Sequence, residues 1–379
     1  MSKNCYIIQT NCVTPLGFDV NSNFEAMLNG DSGIQCHKNS PLLGSSFYAA
    51  TIDSTQLDVA FSKVECNAEF SRLEKMLILS LQPIISKQKV TPKSVFILST
   101  TKGNITALEN KEYPIEGTYL SVLAKKIALY FGFTTEPIVV SNACVSGVLA
   151  VAVANRMIQA GVYEEAFLVA GDEVSEFVLS GFNSFQAMSE NPCKPYDKDR
   201  NGVTLGEATA AVYISSDESK IGKGSIKILG DGSVNDANHI SGPSRTGEGL
   251  YRSISSALKE AYINPHQIDY LSAHGTATLY NDEMEAIAFS RLGLQNVPIN
   301  SYKGFFGHTL GASGLLETVF AIECANRNQL IASKGYNENG VSQNINIIHK
   351  NAKKEITYFL KTASGFGGCN TAVVFEKIK

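Results

Sequence analysis

Apolar residues along this chain fall into short unbroken runs separated by polar and glycine-rich stretches. Ser94-Val95-Phe96-Ile97-Leu98, Pro137-Ile138-Val139-Val140 and Ala166-Phe167-Leu168-Val169-Ala170-Gly171 show no polar alternation, the pattern of strands buried on both faces. Cys5 to Thr10, Gly206 to Ile214, Ser225 to Leu229, Ile268-Asp269-Tyr270-Leu271, Val297-Pro298-Ile299-Asn300, Ile356 to Leu360 and Thr371 to Lys377 read as further strands. Between them lie stretches with helical spacing: Asn21 to Leu28, Ser71 to Lys87, Tyr119 to Phe131, Val148 to Gly161, Gly249 to Ala261, Asp282 to Arg291 and Ser313 to Asn326. Residues 34–68 and the glycine-punctuated segment before Pro195 give no clear element.

The order repeats. The first half runs strand, turn, helix, strand, polar loop, buried helix. After Ser215 to Gly224 the second half runs through the same order. Strands alternating with helices predict an α/β fold, and the repeat predicts an internal duplication in architecture. Two loops in matching positions carry reactive side chains. Cys144 sits in Ser141-Asn142-Ala143-Cys144-Val145-Ser146-Gly147, where a buried strand turns into a buried helix. His308 sits where the second half makes the same turn, and His274 ends a strand in Ala273-His274-Gly275-Thr276. Packed together, the halves bring all three to one crevice at the strand ends, where α/β folds place their ligands. A cysteine at a helix N-terminus meets unpaired amides and partial positive charge, so the expectation is a thiol pKa lowered into the range of about 3.5–7.5.

Composition narrows the classes of function. The chain has 379 residues, 44% hydrophobic and 18% charged, enough for a large core in one large or two smaller domains. A net charge of −4 speaks against a general nucleic-acid partner or membrane-surface role. No apolar run approaches the roughly 20 residues of a membrane span. Met1-Ser2-Lys3-Asn4 leads directly into a strand-like run without a signal-peptide pattern. Eight scattered cysteines, in no zinc spacing and no CxxC pair, suit reduced thiols, so the expected location is cytoplasmic.

Five motifs, in order, resemble those of the β-ketoacyl-acyl-carrier-protein synthases of the thiolase superfamily, in the branch that elongates acyl chains with a Cys-His-His triad. They are Asn142 to Gly147, Pro195-Tyr196-Asp197 through Gly206-Glu207, Ala273 to Thr276, Lys303-Gly304-Phe305-Phe306-Gly307-His308 through Gly314, and Gly365-Phe366-Gly367-Gly368-Cys369-Asn370. The resemblance covers essentially the whole chain. It implies a thiolase fold, five αβαβα layers built from two pseudo-symmetric halves, residues 1–218 with the nucleophile and 219–379 with the two histidines.

The implied reaction is a decarboxylative Claisen condensation of an acyl thioester with malonyl-acyl carrier protein, in fatty-acid or polyene/polyketide-type elongation. By resemblance, Cys144 holds the acyl group, and His274 and His308 donate hydrogen bonds to the malonyl thioester oxygen. Lys303 pairs with Glu317 beside them. The amides of Cys144 and Phe366 form an oxyanion hole, Phe366 gates the acyl chain, and Thr276 and Thr278 bind the pantetheine arm. The resemblance implies no metal and no cofactor beyond the phosphopantetheine of the acyl carrier protein. It implies a homodimer, or a heterodimer with a related ketosynthase-like chain, with the segment Tyr119 to Val140 at the subunit interface. Asp282 and Glu285 either support the His274 loop or are solvated, and His239 falls where the family often has a histidine.

Some stretches depart from the family pattern. The chain is shorter than typical elongating synthases, and Thr278-Leu279-Tyr280-Asn281-Asp282 lacks a proline often found there. Ser99-Thr100-Thr101-Lys102-Gly103 replaces a more apolar stretch that lines the acyl tunnel in many relatives, which predicts a more polar tunnel and a specialised acyl chain. Lys102 is expected to point outward, toward an acidic carrier protein. Competing readings are another acyltransferase of the superfamily, such as a thiolase, and a non-catalytic chain-length partner subunit. A thiolase would carry a second catalytic cysteine near the last glycine loop. A chain-length partner usually lacks the reactive cysteine.

Overall fold

The computed structural model describes residues 3–38, 44–64, 68–108, 114–236 and 242–378. Ten strands join into one sheet: β1 (Cys5–Val13), β2 (Ser94–Ser99), β3 (Ile138–Val140), β4 (Glu165–Asp172), β5 (Ala208–Ser215), β6 (Ile226–Asn235), β7 (Tyr270–Ser272), β8 (Ile299–Asn300), β9 (Tyr358–Gly365) and β10 (Cys369–Lys377). Their order is β8-β7-β9-β10-β6-β1-β5-β4-β2-β3. β2 pairs in parallel with β3 and β4, and the antiparallel pairs β4–β5 and β5–β1 complete the first five. The second five repeat this pattern: β7 is parallel to β8 and β9, and β9–β10 and β10–β6 are antiparallel. The two sets meet where Cys5, Tyr6 and Ile7 pair with Ile228, Lys227 and Ile226.

The helices that place the site are α1 (Val20–Leu28), α2 (Arg72–Ile85), α3 (Leu120–Tyr130), α4 (Ser146–Gln159), α5 (Glu176–Ser184), α6 (Glu248–Ala261), α7 (Leu279–Arg291) and α8 (Ser313–Arg327). The unbroken apolar runs have a direct physical reason, because alternate side chains feed two different cores. In β2, Val95 and Ile97 join a central core while Phe96 and Leu98 join an outer one against α2 and α3. In β9 and β10, Phe359, Ala363, Val373 and Phe375 face the same central core, and Leu360, Ala372 and Val374 face α6 and α7. Apolar residues of α4 and α8, including Val148, Val151, Leu315, Val319 and Phe320, fill the centre. The result is five layers: α2 and α3, five strands, α4 and α8, five strands, α6 and α7. No helix among the described residues is long and apolar enough to cross a membrane.

α4 and α8 approach so closely that only glycine fits between them. A Cβ on Gly147 would run into the Leu315 backbone nitrogen, and one on Gly314 would lie 2.6 Å from the Val148 nitrogen. This crossing fixes the start of α4, which follows Cys144, against the start of α8, which follows His308. Gly147→Ala is expected to force the helices apart and destabilise the fold by about 1–3 kcal/mol, read as a lower Tm.

Candidate active site

β3 ends at Val140 and α4 begins at Ser146, so the chain reverses within Ser141–Val145. Ala143 takes a left-handed conformation with φ 43° to make that turn. Ser146 locks it: its hydroxyl accepts from the Asn142 amide at 2.7 Å and donates to the Ala143 carbonyl at 2.7 Å. Cys144 is thereby held at the mouth of α4, only 8% exposed. Burial pushes its thiol up to about 12, and neighbouring Cys369 adds to the rise, whereas Lys303 and a hydrogen bond from the Phe366 amide pull the other way. The lowered pKa expected from the helix N-terminus is therefore not found. Removal from water outweighs the favourable amides, and the resting side chain is a thiol.

His274 and His308 complete a tight group. The Cys144 sulfur and one ring nitrogen of each histidine lie within 4.8 Å of one another. The two rings stand edge to face, centroids 5.1 Å apart. The hydrogen bonds on the far sides fix both tautomers. His308 Nδ1 receives the Leu310 amide at 3.3 Å and lies 2.8 Å from the Ser313 hydroxyl. A backbone N–H only donates, so Nδ1 is the acceptor and Nε2 carries the proton. His274 Nδ1 lies 3.3 Å from the Lys303 ammonium, which likewise only donates, and again Nε2 carries the proton. Burial, then Lys303, holds both imidazoles well below the ordinary histidine range, with Lys361 adding to the effect on each. Two neutral N–H donors thus converge beside a thiol.

Lys303 is wholly buried and donates to Glu317 Oε1 at 2.6 Å and to the His274 carbonyl at 2.6 Å. The loop carrying His274 is clamped from α7. Glu285 accepts from the amides of His274 at 2.9 Å and Gly275 at 2.7 Å, and Asp282 accepts from Thr276 at 2.9 Å. Both carboxyls are buried and pushed up by that burial, Asp282 to about 7. Of the two readings open from sequence, the structure shows loop support. Thr276 and Thr278 share a hydrogen bond of 2.8 Å between their hydroxyls and line the same cavity as Cys144.

That cavity, about 370 Å³, is also lined by Phe182, Phe185 and Phe366. Phe366 is 38% exposed, stacks on Phe182 with centroids 5.7 Å apart and meets the edge of Phe185 at 5.6 Å. Ser99 to Gly103 does not line it. Thr100 donates to Asp172 at 2.8 Å, Thr101 donates through both its amide and its hydroxyl, and the Gly311 amide reaches the same carboxylate at 2.7 Å. The hydroxyls read from sequence as tunnel lining are occupied in joining β2, β4 and the His308 loop. Lys102 is half-buried, its ammonium 6.0 Å from the centre of the Phe177 ring. His239 lies outside the described residues.

Residues 4–220 match the family model for the N-terminal domain of beta-ketoacyl synthases, and residues 226–337 match the model for the C-terminal domain. The chain belongs to the beta-ketoacyl synthase family. Among curated ketosynthases, 3-oxoacyl-[acyl-carrier-protein] synthase 2 of Rhizobium meliloti (strain 1021) is 31% identical over 280 residues, a match covering 69% of this chain and 66% of that protein, just under two thirds. The solved structure of a ketosynthase (ApeO) in complex with its chain length factor (ApeC) from Xenorhabdus doucetiae superposes with a TM-score of 0.88 at 24% identity, covering 99% of this chain and 98% of the other. The ishigamide ketosynthase/chain length factor gives 0.90 at 19% identity, with both chains fully covered. At these identities the structural likeness shows the shared ketosynthase fold, the thiolase fold expected from the motifs.

Sequence reasoning missed three parts of this ketosynthase site. Helix α5, which supplies Phe182, is one; Phe185 follows at its end. Asp172 is the second, an acidic residue at the end of the apolar run Ala166 to Gly171. Lys361 is the third, a lysine inside the apolar run of β9 that is 0% exposed. The signal available for the last two was a charge where an apolar residue fits the pattern.

Proposed function

We propose that this chain catalyses the decarboxylative condensation of an acyl thioester with malonyl-acyl carrier protein, giving a 3-oxoacyl-acyl carrier protein. The observation that carries the reading is the convergence of the Cys144 thiol with two neutral Nε2–H donors. In the first step Cys144 attacks the acyl thioester. The new S–C bond forms, the pantetheine sulfur leaves, and the thiol proton ends on that sulfur. The amides of Cys144 and Phe366 serve as oxyanion donors for the tetrahedral intermediate. In the second step malonyl thioester loses CO₂ and its electron pair moves to the α-carbon. Negative charge develops on the thioester oxygen, where His274 and His308 donate. The α-carbon then attacks the acyl-cysteine, and the departing thiolate of Cys144 takes up a proton. Lys303, held by Glu317, orients His274, Phe366 yields to admit the acyl chain, and Thr276 and Thr278 hold the pantetheine arm.

The acyl carrier protein is accordingly the partner, its phosphopantetheine the only prosthetic group required, and the cytoplasm the location. Residues 1–218 and 219–379 are taken as the two halves of the duplication. Incubation with an acyl-acyl carrier protein should add the acyl mass to the Cys144 peptide, and malonyl-acyl carrier protein should then release it as the 3-oxoacyl product. An intact protein mass unchanged by the acyl donor would refute the reading.

A second chain is proposed to sit on the edge of the sheet at β3. Tyr119 just before α3 and Val122 and Leu129 on it are exposed beside that edge, and among the described residues β3 pairs with one strand only. Sedimentation at micromolar concentration is expected to give a dimer, of this chain or with a related ketosynthase-like chain. Leu129→Glu should then shift it toward monomer.

A further inference from the structure

Behind the two imidazoles lies a cluster of three buried charges. Glu317, on α8, divides its carboxylate between two ammonium groups: Oε1 lies 2.6 Å from Lys303 Nζ and Oε2 lies 2.5 Å from Lys361 Nζ. The side chains of both lysines are 0% exposed and that of Glu317 is 3% exposed. Lys361 also donates to the carbonyls of Ser272 at 3.2 Å and Ala273 at 3.1 Å, the two residues before His274. Lys303 takes the next carbonyl, that of His274 itself. Three consecutive carbonyls are thus held by two ammonium groups that share one carboxylate.

We infer that Lys361 is a positioning residue: as the second ammonium on Glu317 it leaves this cluster with one positive charge in excess and ties down the main chain that carries His274. The inference rests on the proposed role of the imidazoles as neutral donors. A buried Lys303–Glu317 pair alone sums to zero charge. One uncompensated cation in a medium of low dielectric disfavours imidazolium, so it keeps both rings neutral. The same excess charge favours an enolate forming in front of them. Burial lowers the Lys361 pKa, while Glu317 pulls it back up. Lys361 does this without any hydrogen bond to either histidine, acting through Glu317 and the end of β7.

Other groups around the rings titrate as well. Asp282 and Glu285 face the His274 loop from α7, Tyr196 bonds to Glu285, Asp172 bonds to Gly311 beside His308, and Cys144 and Cys369 lie in front. The test therefore observes the imidazoles directly, by NMR titration of histidine-labelled protein without substrate. Lys361→Gln keeps a hydrogen-bond donor and removes the charge. It is expected to raise the titration midpoints of His274 and His308 by about one pH unit. The double variant Lys361→Met/Glu317→Gln restores a net charge of one, on Lys303, and is expected to return both midpoints to within a few tenths of a unit of the unmodified protein.

The acid limb of malonyl decarboxylation should move in parallel. The active imidazoles are neutral, so activity falls as pH drops through their pKa, and a higher pKa shifts that limb to higher pH. Midpoints unchanged in Lys361→Gln, or a double variant that titrates no nearer to the unmodified protein than Lys361→Gln does, would overturn the inference. A protein that shows these titration shifts but never decarboxylates malonyl thioester would refute the proposed function and leave the role of Lys361 standing.

Discussion

Cys144→Ser is expected to abolish condensation, with a fall in kcat/KM on the order of 10³-fold or more, and to remove acyl mass from the protein. The two side chains differ by one atom, so the turn built by Ala143 and Ser146 should survive. What changes is the chemistry. A serine hydroxyl is a far weaker nucleophile toward a thioester than sulfur is. The oxoester it would form is also a poorer acyl donor to the enolate than a thioester. Circular dichroism and Tm close to those of the unmodified protein would show that chemistry and not folding was lost. Acylation persisting at another residue in this variant, with condensation intact, would overturn the assignment.

His308→Ala is expected to slow malonyl decarboxylation by about 10²–10³-fold, the loss seen when one donor to a developing oxyanion is removed. Acylation of Cys144 should be much less affected, because the oxyanion donors proposed for that step are the amides of Cys144 and Phe366. Separate measurement of the two half-reactions checks this: single-turnover acyl transfer by mass spectrometry, and CO₂ release from malonyl-acyl carrier protein. Equal losses in both would place His308 in the acyl transfer as well. Normal CO₂ release would remove it from the mechanism. The pH dependence follows from the depressed imidazole pKa values. Decarboxylation should be flat through neutral pH and fail only well below pH 6.5, once the rings become protonated.

The fold was legible because its strands are buried on both faces. A run such as Val95-Phe96-Ile97-Leu98 has no polar position to blur it, since alternate residues feed two cores. The triad was legible because each member lies in a loop at a strand end, and the duplication places those loops at matching points. What escaped depends on contacts distant in sequence. Thr100 and Thr101 looked like tunnel lining because their acceptor, Asp172, lies some seventy residues away. Lys361 was passed over because a lysine in a strand ordinarily marks an exposed edge. Its acceptor Glu317 is 44 residues away on another element. Helix α5 was hidden for a different reason: its apolar stripe of Val178, Leu179 and Phe182 spans only nine residues, interrupted by Ser180, Gly181 and Asn183, and merges with the glycine-punctuated stretch around it.

The raised thiol pKa of Cys144 gives the nucleophile a form of chemical latency. Burial raises the thiol pKa, so at pH 7 an even smaller share of molecules carries a thiolate than the few per cent of an ordinary cysteine. Alkylating agents and peroxides react with the thiolate, so the idle nucleophile should outlast exposed cysteines such as Cys36 during handling in air. Its reactivity is conferred by the visitor: a thioester seated in the cavity brings the leaving sulfur that accepts the proton. Under the proposed function, burial thereby shields the nucleophile from small electrophiles until a carrier-bound acyl group reaches it.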